Sequence, residues 1–361
     1  MSKLCLLANA ASSHTEKWAS ELGRRGWDVH VVSFLPARIP HATVHVVPGF
    51  IGGKLDVILR RSWVVDEVKR LKPDIIHAHY ATSFGFLGAL AKEHPYVISA
   101  WGSDIFSFPR KSFVHSLLLK WTLKQADVLC STSRIMAQEM QRYTDAGRRA
   151  EVIPFGVDIE RFKPPAEERQ EASQPLIFGV AKYLEPVYGL DVLFKAFAQI
   201  ERQTPGRACL RLAGDGPEKA RLQRLALKLG IARKIEWLGA IPSKDVAELY
   251  QSLDVVVVPS RQESFGVTAV EGSACGRPII ASRVGGLPEV VADHETGLLI
   301  PPGKVKELAA AMEYMIDHPE ERKRMGEAGR SFVLEHYDWQ ENVTEMERVY
   351  REVLGDRSQE Q

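Results

Sequence analysis

Cysteine is scarce in this chain of 361 residues: there are 4, at positions 5, 130, 209 and 275. They lie far apart, and none has a second Cys or a His at metal-ligand spacing, which excludes a zinc knuckle or a disulfide scaffold. Most of them fall inside apolar runs and read as small buried hydrophobes in a reducing compartment. Long apolar runs are missing as well, since no window approaches the roughly 20 residues that span a bilayer. The opening stretch from Met1 to Leu7 is too short, and too soon interrupted by Asn9, to serve as a signal peptide. The expected location is cytoplasmic, with any membrane contact peripheral and on the inner face. Neither low-complexity tracts nor short internal repeats occur, which sets aside solenoids.

What is present is ordinary globular usage, 45% apolar and 26% charged residues, in a chain long enough for two domains with separate cores. The net charge of +1 hides an asymmetry. Through Pro165 the chain carries 22 Lys and Arg against 15 Asp and Glu, and beyond it 25 against 31. A basic first half suits an anionic partner such as a phospholipid surface, and an uneven scatter of solvated charge explains it equally well. No nucleic-acid partner is expected.

Apolar strands alternate with amphipathic stretches, the pattern of a parallel sheet covered by helices. Strands are expected at Lys3–Ala8, Asp28–Ser33, Thr43–Val47, Asp74–Ala78, Tyr96–Ala100, Asp127–Ser131 and Glu151–Ile153. Helices are expected at Thr15–Arg25, Leu55–Leu71, Ser83–Lys92, Lys111–Gln125 and Arg134–Tyr143. Between Arg161 and Gln174 the composition turns polar, which marks a linker. The alternation then restarts, with strands near Leu176–Val180, Cys209–Ala213, Lys234–Leu238, Asp254–Val258, Pro278–Ala281 and Gly297–Ile300. The reading is α/β, with domains at 1–165 and 166–337 and a terminal helix, 338–361, returning to the first. The tail from Gly355 is expected to fray.

Chemistry concentrates in Pro259–Pro278, PSRQESFGVTAVEGSACGRP, directly after the apolar run Val255–Val258. A buried strand ending there delivers a loop and then a helix to the carboxyl edge of a sheet, where open α/β folds bind ligands. Glu263 then sits in the loop and Glu271 on the helix. Between them the backbone N–H groups of Ser264, Phe265, Gly266 and Val267 open a helix, a position suited to sugar hydroxyls and phosphate oxygens. Glu271 can accept two hydrogen bonds from a ribose diol while Glu263 faces a sugar ring; a solvated helix face is the other reading for both. In Val284–Pro302, the pair Gly285-Gly286 either presents amides to a diphosphate or only turns the chain. Leu212–Pro217, LAGDGP, places Gly214 and Asp215 in a turn of the kind that borders a nucleotide.

In this order, Glu263-SFG, Glu271, ACGRP, GGLPEVV and TGLLIPP resemble the retaining glycosyltransferases of glycosyltransferase family four, across about residues 176–335. The resemblance implies a GT-B fold, two Rossmann-like domains facing each other across a cleft. It implies transfer of a hexosyl group from a nucleotide diphosphate sugar, UDP- or GDP-linked, to a hydroxyl acceptor, with retention and no metal or other cofactor. Glu263 would touch the donor sugar and Glu271 the ribose. No Asp-x-Asp pair stands at a strand end to hold Mg²⁺ or Mn²⁺, so the departing diphosphate needs cations and backbone dipoles. Lys182 fits the basic position after the domain's first strand. Where the family usually has a lysine before the next glycine, this chain has Tyr188, so half of the phosphate clamp is missing.

The first domain matches in pattern more than in words. Its first loop, Asn9 to His14, lacks glycine, and Trp101 replaces a frequent histidine, with Asp104 close behind. His14, Trp101 and Asp104 are candidates to hold the acceptor; a buried Trp and a helix-capping Asp is the alternative. His77 and His79 share one face of a strand end, and either orient the acceptor or form a structural pair. The run Arg110–Lys124 has four Lys or Arg and no acid, with Phe113, Leu117, Trp121 and Lys124 along one side. It reads either as a surface for an anionic bilayer carrying a lipid-linked acceptor or as an ordinary packing helix. The family's commonest setting is surface polysaccharide, glycolipid or glycoconjugate biosynthesis. Competing functions are a degenerate nucleotide-sugar-binding partner of another transferase, and a sugar-nucleotide epimerase of the same fold.

Overall fold

A computed structural model describes residues 1–49, 52–166 and 175–355. The chain divides into two units, one of Met1–Pro154 with Glu341–Gln361, the other of Phe155–Gln340. The division thus falls at Pro154, ahead of the polar linker, most of which lies outside the described residues. The tail beyond Gly355 lies outside them too.

In unit 1 the strands are β1 Lys3–Leu7, β2 Asp28–Ser33, β3 Ala42–Val46, β4 Ile75–His79, β5 Tyr96–Ala100, β6 Val128–Ser131 and β7 Glu151–Val152. Among the described residues they form one sheet in the order β3-β2-β1-β4-β5-β6-β7, every pairing parallel. β4 and β5 are buried along their whole length, as strands in the middle of a parallel sheet are, and they take His77, His79 and Ser99 into the interior. The expected helix over 55–71 is two helices, Lys54–Leu59 and Arg61–Leu71, broken at Arg60. Arg60 sits at φ −92, ψ 3, and its guanidinium donates to the Gly49 carbonyl at 2.7 Å.

The C-terminal helix Trp339–Val353 contributes to unit 1 from Glu341 onward. Glu347 receives the Trp27 indole N–H at 2.9 Å and Arg25 at 2.8 Å. Tyr350, fully buried, meets Trp27 edge-on.

Unit 2 holds β8 Leu176–Ala181, β9 Ala208–Ala213, β10 Ile235–Gly239, β11 Val255–Val258, β12 Ile279–Ser282 and β13 Gly297–Ile300, in the order β10-β9-β8-β11-β12-β13, again all parallel. Phe178 on β8 and Phe194 and Phe197 on the following helix are fully buried in its core, and each such side chain stabilises by roughly 1.5–3 kcal/mol. Cys5, Cys130 and Cys275 are buried in the two units, and burial pushes each thiol up to about 12.

In each sheet the strand order reverses once, between β1 and β4 in unit 1 and between β8 and β11 in unit 2. Loops leaving the carboxyl ends of those strands splay apart there and open the crevice where open α/β sheets take their ligands.

Candidate functional site

At the switch point of unit 2, Lys182 follows β8 and the loop of Glu263 follows β11. The Lys182 ammonium donates to Glu263 Oε2 at 2.8 Å, and both side chains are largely buried. The Ser260 hydroxyl is 3.3 Å from the same oxygen, and the Tyr188 ring lies under the ammonium, 4.5 Å from it. Burial, followed by the Glu263 and Glu185 charges, raises the Tyr188 phenol, and Lys182 opposes them. The phenol therefore stays neutral at ordinary pH.

The backbone around this pair is tightly built. Lys182 N–H donates to the Ala213 carbonyl and Leu184 N–H to that of Asp215. Gly214 at φ +137 lets its turn close on Lys182, since a Cβ there would lie 1.9 Å from the Lys182 carbonyl oxygen. The Asp215 carboxylate is turned to Lys219 at 3.0 Å and to the Gly216 amide, so its side chain fixes the turn that borders Lys182.

Arg261 joins the two loops. Its amide donates to the Val187 carbonyl, and its guanidinium holds the Pro186 carbonyl and Asp191. Sequence reasoning missed this tie because partners 70 and more residues apart leave no local signature. The only trace was a charged residue between a buried strand and Glu263.

The loop then enters the helix Val267–Ala274 through Gly266 at φ +115. Thr268 Oγ1 donates to the Ala181 carbonyl at 3.3 Å, which sets the first turn of that helix beside the end of β8. Phe265 is buried against Phe155 and Tyr337, so it anchors the loop through its ring. Ser264 and Val267 are half-buried on either side of it. Glu271, one turn further along the helix, is half-buried beside Tyr250, whose hydroxyl is pushed well up by burial and then by the Glu271 charge.

Of the two readings of Gly285-Gly286, the turn accounts for the Gly286 amide. The Gly286 amide already donates to the Glu263 carbonyl at 3.1 Å, and the pair packs against the backbone of Glu263 and Ser264.

In unit 1, His79 ends β4, and its ring lies 4.7 Å from Trp101 and 4.6 Å from His77. Trp101 also meets His14 edge-on at 5.8 Å. His77 is committed to structure, bonded to Tyr350 at 2.6 Å and Ser99 at 2.8 Å. His14, His79 and Trp101 thus gather at the β1/β4 switch point.

Asp104 does not join them. It is fully buried, and its carboxylate accepts from the amides of Ala81, Trp101 and Gly102, so its oxygens are turned to the main chain rather than to the surface. The capping alternative holds, because a buried carboxylate needs donors and the nearest are main-chain amides.

Burial, with the His14 charge second, holds the His79 imidazole down to about 3. The unfolded chain, titrating near 6.5, therefore binds more protons than the fold at every pH between those values, and stability falls as the pH drops through that window. Between pH 7 and pH 5 the expected loss from His79 is about 2 kcal/mol. Urea unfolding at both pH values checks it, with a flatter dependence expected in His79→Gln.

Residues 163–332 match the family described as Glycosyl transferases group 1, and residues 3–133 match Glycosyl transferase 4-like. The chain is 30% identical over 393 aligned residues to D-inositol 3-phosphate glycosyltransferase of Saccharomonospora viridis, spanning 96% of this chain and 90% of that one. It is 28% identical to N-acetyl-alpha-D-glucosaminyl L-malate synthase of Bacillus anthracis, over 93% and 92% of the two chains. Among solved structures, sucrose-phosphate synthase from Thermosynechococcus elongatus shares the fold at TM-score 0.86 and 23% identity, over 98% of this chain and 100% of that one. Anabaena HepE in complex with UDP does so at TM-score 0.81 and 21% identity, over 98% and 100%. With two parallel-sheet α/β units and these relatives over nearly its whole length, the chain belongs to the glycosyl transferases group 1, the family-four glycosyltransferases of GT-B fold.

Proposed function

We propose that this enzyme transfers a sugar from a nucleotide diphosphate sugar, UDP- or GDP-linked, to a hydroxyl acceptor, with retention at the anomeric carbon and without a divalent metal. The observation that carries the proposal is the Lys182–Glu263 pair, a cation and a carboxylate 2.8 Å apart at the switch point of unit 2. The UDP of the HepE complex, a protein of the same fold, is consistent with a uridine donor.

In this reading Lys182 keeps two N–H donors beyond the one given to Glu263 and offers them to diphosphate oxygens. The amides opening the helix Val267–Ala274 add their dipoles. Glu263 faces the donor sugar, and Glu271 accepts from the ribose diol. The acceptor hydroxyl attacks from the face the diphosphate leaves. Its proton passes to the leaving phosphate oxygen, so the protein supplies position and charge rather than a base. In this reading Lys182 and the amides meet the developing charge; among the described residues no group of three or more His, Cys, Asp or Glu is placed to hold a metal ion. Tyr188, a neutral phenol where the family resemblance leads one to expect a lysine, donates one hydrogen bond, and a modest turnover is expected.

The acceptor falls to His14, His79 and Trp101 of unit 1. It is a sugar or lipid-linked compound of surface polysaccharide, glycolipid or glycoconjugate synthesis, met at the inner face of the membrane.

Thermal stability against UDP-, GDP-, ADP- and CMP-sugars, with and without EDTA, tests the donor. A chelator-insensitive rise with a UDP- or GDP-sugar is expected by ligand linkage; no rise with any of them would overturn the proposal, and a rise without sugar transfer would favour the degenerate nucleotide-sugar-binding partner. Glu271→Ala is expected to raise the donor Kd by about tenfold to a hundredfold, the worth of a hydrogen bond to a charged group, with kcat nearly unchanged.

A further inference from the structure

The helix Phe113–Gln125 of unit 1 packs through Leu119, Thr122 and Leu123. Its opposite side is also apolar, and it faces water. Phe113 is 77% exposed, Val114 70% and Leu117 48%, with Leu118 and Trp121 exposed beside them. At 100° per residue these five side chains sweep one continuous arc, with Lys120 and Lys124 along one edge of it. From Ile105 to Ala126 the sequence contains no Asp or Glu. A soluble monomer rarely leaves so many large apolar side chains together in water without a partner.

We infer that this face docks on an anionic lipid surface, with Phe113, Val114 and Leu117 entering the boundary between headgroups and acyl chains and Lys120 and Lys124 lying against lipid phosphates. Charge decides for a bilayer over a protein partner. The apolar arc is edged by exposed cations, and unit 1 as a whole carries 23 Lys and Arg against 19 Asp and Glu. A basic edge around an apolar strip is what an interfacial helix needs and what a neutral protein partner does not.

The topology gives the docking a consequence. Because β5 and β6 are parallel neighbours, the helix between them begins on the side where the strands end. Phe113 therefore lies toward the same sheet edge as His79 and Trp101. A surface docked there would bring a lipid-linked acceptor toward that cluster. This last step rests on the glycosyl-transfer reading; the docking itself does not.

Flotation of the full chain with phosphatidylcholine vesicles, with and without phosphatidylglycerol, needs neither donor nor acceptor, so its failure is separate from any failure of the transfer reading. The expected result is binding to the anionic vesicles only, weakened by salt. Binding should fall at least about tenfold in the Phe113→Ser/Leu117→Ser double variant and in Lys120→Glu/Lys124→Glu, for loss of buried apolar area and of phosphate attraction. Both variants change exposed side chains, so their thermal midpoints should stay at the wild-type value. Three results would overturn the inference: no flotation of the wild type, flotation unchanged by both variants, or a wild-type dimer without vesicle binding that the serine variant makes monomeric.

Discussion

Replacing Glu263 with alanine is expected to lower sugar transfer by at least about a thousandfold, roughly 4 kcal/mol of transition-state stabilisation, while the protein stays folded. Two losses combine. The carboxylate proposed to face the donor sugar disappears, and Lys182 loses the partner that holds its ammonium at 2.8 Å. The lysine keeps the Tyr188 ring at 4.5 Å, a contact worth about 0.5–2 kcal/mol, so its charge is not abandoned and the core around Phe265 is untouched. Glu263→Gln separates the two losses, because an amide oxygen can still accept from Lys182 but carries no charge. A rate in the glutamine variant well above that of the alanine variant would show that positioning Lys182 is a large part of the role. Single-turnover transfer with saturating donor measures all three proteins, and an alanine variant within tenfold of wild type would remove Glu263 from the site.

The central elements of both sheets were legible because inner parallel strands are buried on both faces. β11, four consecutive valines all buried, cannot be mistaken for a surface strand, and the fold class followed from such runs, with the more exposed edge strands β3, β7 and β10 beside them, alternating with amphipathic stretches. Glu263 and Lys182 were legible as positions, each just beyond a buried strand.

What a side chain spends its polar atoms on was harder to read. Asp104 looked available from its place after Trp101, yet its oxygens are turned to three backbone amides, and no local pattern distinguishes a capping carboxylate from a binding one. The exposed apolar side of the helix Phe113–Gln125 was equally ambiguous, since burial depends on neighbours that the helix sequence does not contain. Arg261 and Asp191, 70 residues apart, belong to the same class of unread contact.

Gly285 is the clearest case, and it carries the second large effect. It sits at φ +55, and a Cβ on it would lie 1.7 Å from the Glu263 carbonyl oxygen and 2.8 Å from the carbonyl carbon. Both neighbours are backbone, so no rotamer change relieves the clash; the Glu263 loop or the Gly285 turn must move. That movement also breaks the bond from the Gly286 amide to the Glu263 carbonyl. Gly285→Ala is therefore expected to destabilise unit 2 by about 2–4 kcal/mol. Transfer should fall by a further factor of about a hundred even where the protein is fully folded, since a misplacement on the order of 1 Å in a reacting site costs that much. Gly303→Ala is the matched control. It too has a left-handed φ, +74, but open space around its Cβ position, so it should show only the roughly 1 kcal/mol of backbone strain and unchanged transfer per folded molecule. Measuring urea stability and transfer for both variants distinguishes strain from displacement. If Gly285→Ala loses stability but keeps its rate, the loop that presents Glu263 tolerates movement, and the turn of Gly285 and Gly286 serves the fold alone.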